Sequence, residues 1–431
     1  MHFYSTNRKV PSVSFKEAVL KGLPDDNGLF MPEAIPQFSF EFLKKLPNLS
    51  FQEIAFQSAR LIVEDEIEEN TLNSIIEDVF NFDVPVKNVH DNIHVLELFH
   101  GPTLAFKDFG ARFMARTMGH FLKTDGREIN ILVATSGDTG SAVAQGFLGV
   151  DGIKVTLLYP KGKVSKIQEQ QLTTIGQNIT ALEVDGTFDD CQNLVKTAFL
   201  DQELNKKLNL SSANSINIAR LLPQSFYYTY AFSRVMHKAE NVYFCVPSGN
   251  FGNLSGGLLA KKMGLPITGF IAASNANDIV PKYLETSVFN PKPSIQTISN
   301  AMDVGNPSNF ARMLDLYDHD YEKLTQDIRG ISFDDNQTRE IIEQVFVKYN
   351  YLMCPHTAIG YGGLSHYLNK DDAGVFLSTA HPVKFKDIVD PLISVEVEIP
   401  LRLQQIIEKK KQAISMKKEF NEFKAFLIDT I

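Results

Sequence analysis

From about residue 95 onward, short apolar runs rich in β-branched residues alternate with stretches of helical periodicity. This alternation constrains the fold more than any other feature of the chain. Ile129–Ala134, Ile153–Tyr159, Ile179–Val184, Val242–Val246, Ile267–Ala272 and Val375–Leu377 read as strands. Ser141–Phe147, Asp189–Leu200 and Leu254–Met263 read as helices between them. Such alternation builds right-handed βαβ crossovers and a mainly parallel sheet. The strand runs are continuously apolar, as expected of strands covered on both faces. The fold class is therefore α/β.

The flanks read differently. Leu43–Leu46, Phe51–Ile62 and Leu72–Val79 carry helical spacing, after an opening broken by Pro24, Asn27-Gly28, Pro32 and Pro36. A mostly helical N-terminal unit without obvious chemistry is expected over residues 1–94. A smaller α/β domain is expected over 95–240, and a larger one over 241–431 that ends in a helical, charged tail from about Val389. Two or three domains suit 431 residues. The basic run Lys409–Lys411, with Lys417 and Lys418, reads as a solvated helix face.

Composition removes several functional classes. Apolar residues make up 44%, with 32 Phe, which excludes disorder as the main state. The net charge of −9 argues against nucleic acid as a partner. No apolar run is long enough to span a membrane, and the opening residues do not read as a signal peptide. Cys191, Cys245 and Cys354 are widely spaced, with no CxxC, so neither a disulfide framework nor a cysteine zinc site is expected. A reducing, cytoplasmic location fits.

Ligands of open α/β sheets sit beyond the carboxyl ends of the strands. Two loops stand there, Thr135–Ser141 (TSGDTGS) and Pro247–Gly257 (PSGNFGNLSGG). Both are rich in glycine and small polar residues, and both lead into helices. Such loops turn backbone N–H groups toward an anion beside the positive end of a helix dipole. A single loop of this kind reads equally well as a tight turn and cap. Neither matches GxxxxGK[ST] or GxGxxG, and HExxH and GxSxG are absent. A small monophosphate therefore fits better than a nucleotide, and no metal is called for. Lys107 lies among Leu104, Phe106 and Phe109, where desolvation lowers an amine's pKa and frees it to attack an aldehyde. The plainer alternative is an exposed lysine paired with Asp108. A reactive lysine together with a monophosphate cradle suggests pyridoxal phosphate.

Five blocks now resemble threonine synthases: HGPTLAFKDFGARFMA, ATSGDTGSA, VPSGNFGN, NAMDVGNPSNFAR and STAHPVKF. The opening YSTNRKVPSVSFKEAVLKGLPDDNGLFMPE resembles the N-terminal domain of the enterobacterial and fungal branch of that family. The resemblance covers nearly the whole chain. It implies the tryptophan-synthase β-like fold, type II among enzymes that use pyridoxal 5′-phosphate. It implies a lyase that converts O-phospho-L-homoserine and water to L-threonine and phosphate by β,γ-replacement. By that resemblance Lys107 is the Schiff-base lysine and catalytic base. Gly249, Asn250, Phe251, Gly252 and Asn253 hold the cofactor phosphate, and Thr379 meets the pyridine nitrogen. Ser136 and Thr139 hold the substrate carboxylate, with Asp138 given to loop shape or the cofactor edge. Asn214, Ser215, Asn217 and Arg220 are candidates for the substrate phosphate, with Lys163, Lys166 and Arg112 behind them. His100 and His381 flank the site in sequence and are expected to be structural. The resembled branch is often monomeric. The competing readings are another type II lyase, either a phospholyase or a dehydratase, and a non-catalytic phosphometabolite-binding protein.

Overall fold

The computed structural model describes residues 1–430, the side chain of Thr124 excepted. The chain opens with β1 (His2–Ser5), β2 (Val13–Ser14) and β3 (Phe30–Pro32), an antiparallel sheet with β1 in the centre. Strands this short are below the length at which alternation registers in a sequence. Helix α1 (Phe15–Lys21) has no counterpart in the sequence reading, whereas α2 (Phe51–Val63) and α3 (Glu69–Val79) follow the expected spacing and Leu43–Leu46 overlaps a short helix over Phe40–Lys45. Ser14 and Ser50 start the first two with capping boxes closed by Glu17 and Glu53.

Two further sheets form the body of the molecule. The larger holds β4 (Val86–His90), β5 (Ile93–Glu97), β10 (Val242–Pro247), β11 (Gly269–Ser274), β12 (Ile328–Ser332) and β13 (Ala373–Ser378). Its order is β12-β11-β10-β13-β5-β4, parallel except for the β4–β5 hairpin. The smaller holds β6 (Ile129–Ala134), β7 (Ile153–Pro160), β8 (Ile179–Val184), β9 (Leu210–Ser211) and β14 (Ile414–Met416). Its order is β14-β8-β7-β6-β9, parallel throughout. The strands read from apolar runs all lie in these two sheets, β6 and β8 with the same ends.

The edges differ from the sequence reading. The boundary drawn after residue 94 falls inside β5, which belongs to the larger sheet. β14, from the C-terminal tail, completes the smaller one. Both edge strands β4 and β14 carry exposed residues, so neither shows as a buried run. The run Lys409–Lys411 is not a helix face. It connects the helix Leu401–Ile407 to β14, and Lys411 pairs there with Glu169 and Glu183.

Four helices bring the sheets to a common cleft: α4 (Lys107–Asp125), α5 (Asp138–Phe147), α6 (Ile218–Val235) and α7 (Gly252–Lys262). The N-terminal unit docks on them through aromatic rings. Phe109 on α4 has Phe51, Phe80, Phe82 and Tyr227 around it, with ring centroids at 5.8, 5.8, 5.0 and 5.3 Å. Among the described residues no helix is long and apolar enough to cross a membrane. Because Phe109 is fully buried at this junction, Phe109→Ala should lower the unfolding free energy by about 3–5 kcal/mol. Urea unfolding of the two proteins measures the difference.

Candidate active site

An open cleft of about 1320 Å³ lies between the two sheets. The first turns of α4, α5, α6 and α7 all contribute to its wall. Four helix N-termini directed at one space make it favourable for anions before any side chain is considered.

Lys107 is the first residue of α4 and lines the cleft. The turn before it is fixed by backbone bonds to the end of β13. Phe106 N–H donates to Thr379 O at 2.9 Å, and His381 N–H donates to Leu104 O at 3.0 Å. Leu104 reaches this pairing with a left-handed φ of 61°, an uncommon conformation for a leucine. Asp108 does not pair with Lys107. Its carboxylate accepts from Thr103 N–H and Oγ1–H, at 2.9 and 2.7 Å. Burial, aided by the charges of Arg220 and Lys384 and opposed by Asp138, pushes the Lys107 amine down to about 8. The predicted desolvated lysine is therefore present, and the Asp108 pairing is not.

The loop before α5 is shaped by hidden bonds. Thr135 Oγ1 accepts from Gly137 N–H at 2.9 Å and Gly140 N–H at 2.8 Å. Gly137 has φ 132°, and a Cβ there would lie 2.5 Å from the Gln168 side chain. Asp138 forms an ion pair at 2.7 Å with Lys384, whose side chain is fully buried, and accepts from Gln168 Nε2 at 3.0 Å. Burial opposes its charge, but Lys384 and Lys107 outweigh that and hold the carboxyl well below the usual carboxylate range. Asp138 thus belongs to the frame of the loop. Ser136 and Thr139 line the cleft beside it.

Residues Gly249 to Asn253 turn into α7, with Phe251 in a left-handed conformation at φ 58°. All five line the cleft. A Cβ on Gly249 would stand 2.5 Å from Met302 Cα, so only glycine fits. The Asn250 side chain is already engaged: its Oδ1 accepts Ser308 N–H at 2.6 Å, and its Nδ2 donates to Ser215 Oγ at 2.7 Å. Its Oδ1 and its carbonyl are taken, which leaves the backbone N–H and the second Nδ2 hydrogen for a ligand. Asn253 Oδ1 accepts from the hydroxyls of Tyr227 and Tyr228, at 2.6 and 2.8 Å. Its Nδ2 is buried without a protein partner. An orphaned donor at the start of a helix is what an anionic oxygen would satisfy. Thr379 lies on the cleft wall at the end of β13.

On the opposite wall are Asn214, Ser215 and Arg220. Arg220 is buried, donates to Ala213 O, and leaves its Nε without a partner. No carboxylate pairs with it among the described residues, and burial pushes it down to about 10. Asn217 is a correction. It does not line the cleft, because its amide caps α6 through Ala219 N–H and donates to Val19 O and Ser212 O. Arg112, Lys163 and Lys166 are also absent from the wall. Arg112 donates to Asp78 O, and the two lysines are exposed.

The flanking histidines are structural. His100 pairs with Glu97 at 2.8 Å, and His381 Nδ1 accepts Val383 N–H at 3.1 Å. The histidine on the wall is His356, whose Nε2 accepts Ala301 N–H at 3.2 Å. Burial pushes it down to about 4, so it is neutral. Nothing in the spacing of the sequence marks His356, Lys384, Gln168 or Thr135. Lys384 stands within STAHPVKF, and its burial was the missing clue. The N-terminal unit was expected to carry no chemistry, yet Thr6, Asn7 and Gly28 line the cleft.

A doubly wound pair of sheets with a cleft lysine and an amide cradle defines a fold type II pyridoxal-phosphate enzyme. Residues 83–379 match the family model described as pyridoxal-phosphate dependent enzyme. Residues 2–80 match the threonine synthase N terminus, and residues 357–427 the threonine synthase C-terminal model. Threonine synthase of Haemophilus influenzae is 42% identical over 99% of this chain and 100% of its own. That of Saccharomyces cerevisiae is 35% identical over 97% and 94%. The crystal structure of threonine synthase from Escherichia coli superposes with a TM-score of 0.94 at 40% identity, covering 100% of both chains. A pyridoxal-phosphate-bound threonine synthase from Brucella melitensis gives 0.93 at 34%, over 99% and 98%. Maize serine racemase, at 15% identity and 0.53, shares the fold alone. The chain belongs to the threonine synthase family, and its cofactor is pyridoxal 5′-phosphate.

A lysine amine attacks an aldehyde only when neutral, so uptake of pyridoxal phosphate by the apo-protein should accelerate with rising pH. The midpoint should lie near 8 rather than near the ordinary lysine value of about 10.4. Asp138 raises the Lys107 pKa, so Asp138→Asn should move the midpoint down; Lys384 lowers it, so Lys384→Met should move it up. Stopped-flow absorbance of the lysine-bound cofactor measures all three.

Proposed function

We propose that this chain converts O-phospho-L-homoserine and water to L-threonine and inorganic phosphate, the last step of threonine biosynthesis. One observation carries the reading: an amine and a guanidinium without carboxylate partners face one cleft, beside a cradle of unengaged amides. Pyridoxal phosphate, when bound, supplies an aldehyde for the substrate amine and a ring that stabilises negative charge on the neighbouring carbons.

The chain does the rest. Gly249, Asn250, Phe251, Gly252 and Asn253 hold the cofactor phosphate, the first four through backbone and Asn253 also through Nδ2. Thr379 supplies a hydroxyl to the pyridine nitrogen. Lys107 holds the cofactor at rest and, once the substrate amine displaces it, takes the α-proton at Nζ. Its depressed pKa keeps enough neutral amine for that transfer. Ser136 and Thr139 take the substrate carboxylate. Asn214, Ser215 and Arg220 take the substrate phosphate and stabilise its charge as it leaves. Asn217 acts only by starting α6. Water adds at Cβ with the departed phosphate as base, so no side chain is reserved for it. The enzyme works in the cytoplasm, and one chain carries every group named, so a monomer suffices. The N-terminal unit and the two sheets act together around the cleft, with β5 belonging to the larger sheet and β14 to the smaller.

Threonine and phosphate should form in equal amounts from O-phospho-L-homoserine. Release of 2-oxobutyrate instead would make the protein a phospholyase or dehydratase. Lys107→Ala should reduce turnover by about 10³-fold or more, and full activity in that variant would overturn the mechanism.

A further inference from the structure

Ser215 is held in an unusual way. Its Oγ receives an N–H from Asn250 Nδ2 at 2.7 Å and another from Asn309 Nδ2 at 3.1 Å. An asparagine side chain can normally be turned to exchange its donor and acceptor. Neither of these can. Asn250 Oδ1 faces the Ser308 peptide N–H at 2.6 Å, which only donates. Asn309 Oδ1 faces Arg312 Nη1 at 2.7 Å, which also only donates. Asn309 Nδ2 further donates to the Asn250 carbonyl at 3.1 Å, which only accepts.

A serine hydroxyl has two acceptor sites and one proton. With both acceptor sites filled by fixed donors, the proton must find a third partner. None of its bonds among the described residues goes to a protein acceptor, and Ser215 lines the cleft. Arg312 also fixes the backbone here, donating to Ser215 O at 2.9 Å and Ile216 O at 2.7 Å.

We propose that Asn250 and Asn309, the latter locked by Arg312, are positioning residues that make the Ser215 hydroxyl an obligate donor to the phosphate of the substrate. The proposal rests on the substrate reading above and deepens it. A hydroxyl free to rotate accepts as readily as it donates; this one serves only groups rich in acceptors, which a phosphate monoester is. Asn309→Asp reverses the polarity. The atom facing Ser215 becomes an acceptor, the serine proton turns to it, and the cleft loses its donor.

The test uses holoenzyme, with inorganic phosphate titrated by calorimetry and O-phospho-L-homoserine turnover followed in parallel. Ser215→Ala leaves the Asn–Arg cage intact; it and Asn309→Asp should each weaken phosphate binding and raise KM by about ten-fold. kcat should change less than KM. The double variant should be no worse than Ser215→Ala, since Asn309 acts through the serine proton, and Ser215→Thr should restore binding. Unchanged phosphate affinity in either single variant overturns the proposal, and so do losses that multiply in the double variant. A loss confined to the affinity of apo-protein for pyridoxal phosphate also overturns it, since the proton would then serve the cofactor. Wild-type holoenzyme that binds phosphate with these dependences but forms no threonine would instead overturn the functional reading alone.

Discussion

The cleft depends on a buried guanidinium. Arg312 is fully buried, and burial pushes it down to about 9. Taking that charge out of water is tolerable only where its N–H groups meet acceptors. Nη1 and Nη2 do so on three remote stretches of chain: Phe30 O in β3, Ser215 O and Ile216 O ahead of α6, and Asn309 Oδ1 at the start of its own helix. Nε stays unpartnered among the described residues. The small N-terminal sheet is therefore tied to the wall of the cleft. Loss of any one carbonyl would leave a buried cation short of a partner, so these three stretches keep their relative positions together. That coupling keeps the N-terminal unit, whose Thr6, Asn7 and Gly28 line the cleft, in place beside the site.

Net charge is a poor guide to what such a cleft attracts. The protein carries −9 overall, yet Arg220 has no carboxylate partner and Lys107 only the distant charge of Asp138. The buried carboxylates near them are both engaged: Asp138 pairs with Lys384, and Asp108 accepts from Thr103. Local potential is set by these few desolvated groups and by four helix N-termini, whereas most of the acidic excess is solvated and screened within about 10 Å. Helix ends also add positive potential without a flexible side chain to order.

The sequence pattern revealed the α/β body well, because six strands buried on both faces leave continuous apolar runs. It revealed the edges poorly. Val86–His90 and Ile414–Met416 are edge strands with exposed residues, and the first three strands are too short to show a period. The same division holds for the site. Lys107, the Gly249–Asn253 loop and Arg220 stood out because their neighbours make their chemistry costly or useful, and the structure brings them to one cleft. Asn217 was misplaced because a small polar residue beside a helix start looks the same whether it caps the helix or meets a ligand. Lys384, Gln168 and Arg312 were invisible for a different reason. Their importance lies in partners far away in the chain, and spacing along a sequence carries nothing about those.

Two phosphates with opposite fates occupy this cleft in the proposed reaction, and the two cradles differ accordingly. The cofactor phosphate has to stay. The cradle proposed for it is mostly backbone amide, which neither titrates nor rotates, and at Gly249 it passes Met302 too closely for any side chain. The substrate phosphate has to leave. The cradle proposed for it is made of side chains, Ser215 and Arg220, in which binding can be strong yet reversible. Asn250 joins the two, since its backbone belongs to the first cradle while its amide holds Ser215 in the second. A loop disturbed by loss of the cofactor would therefore also misplace the donor that receives the substrate. The arrangement favours binding in that order, with the reactive lysine already engaged before a phosphorylated substrate finds a complete site.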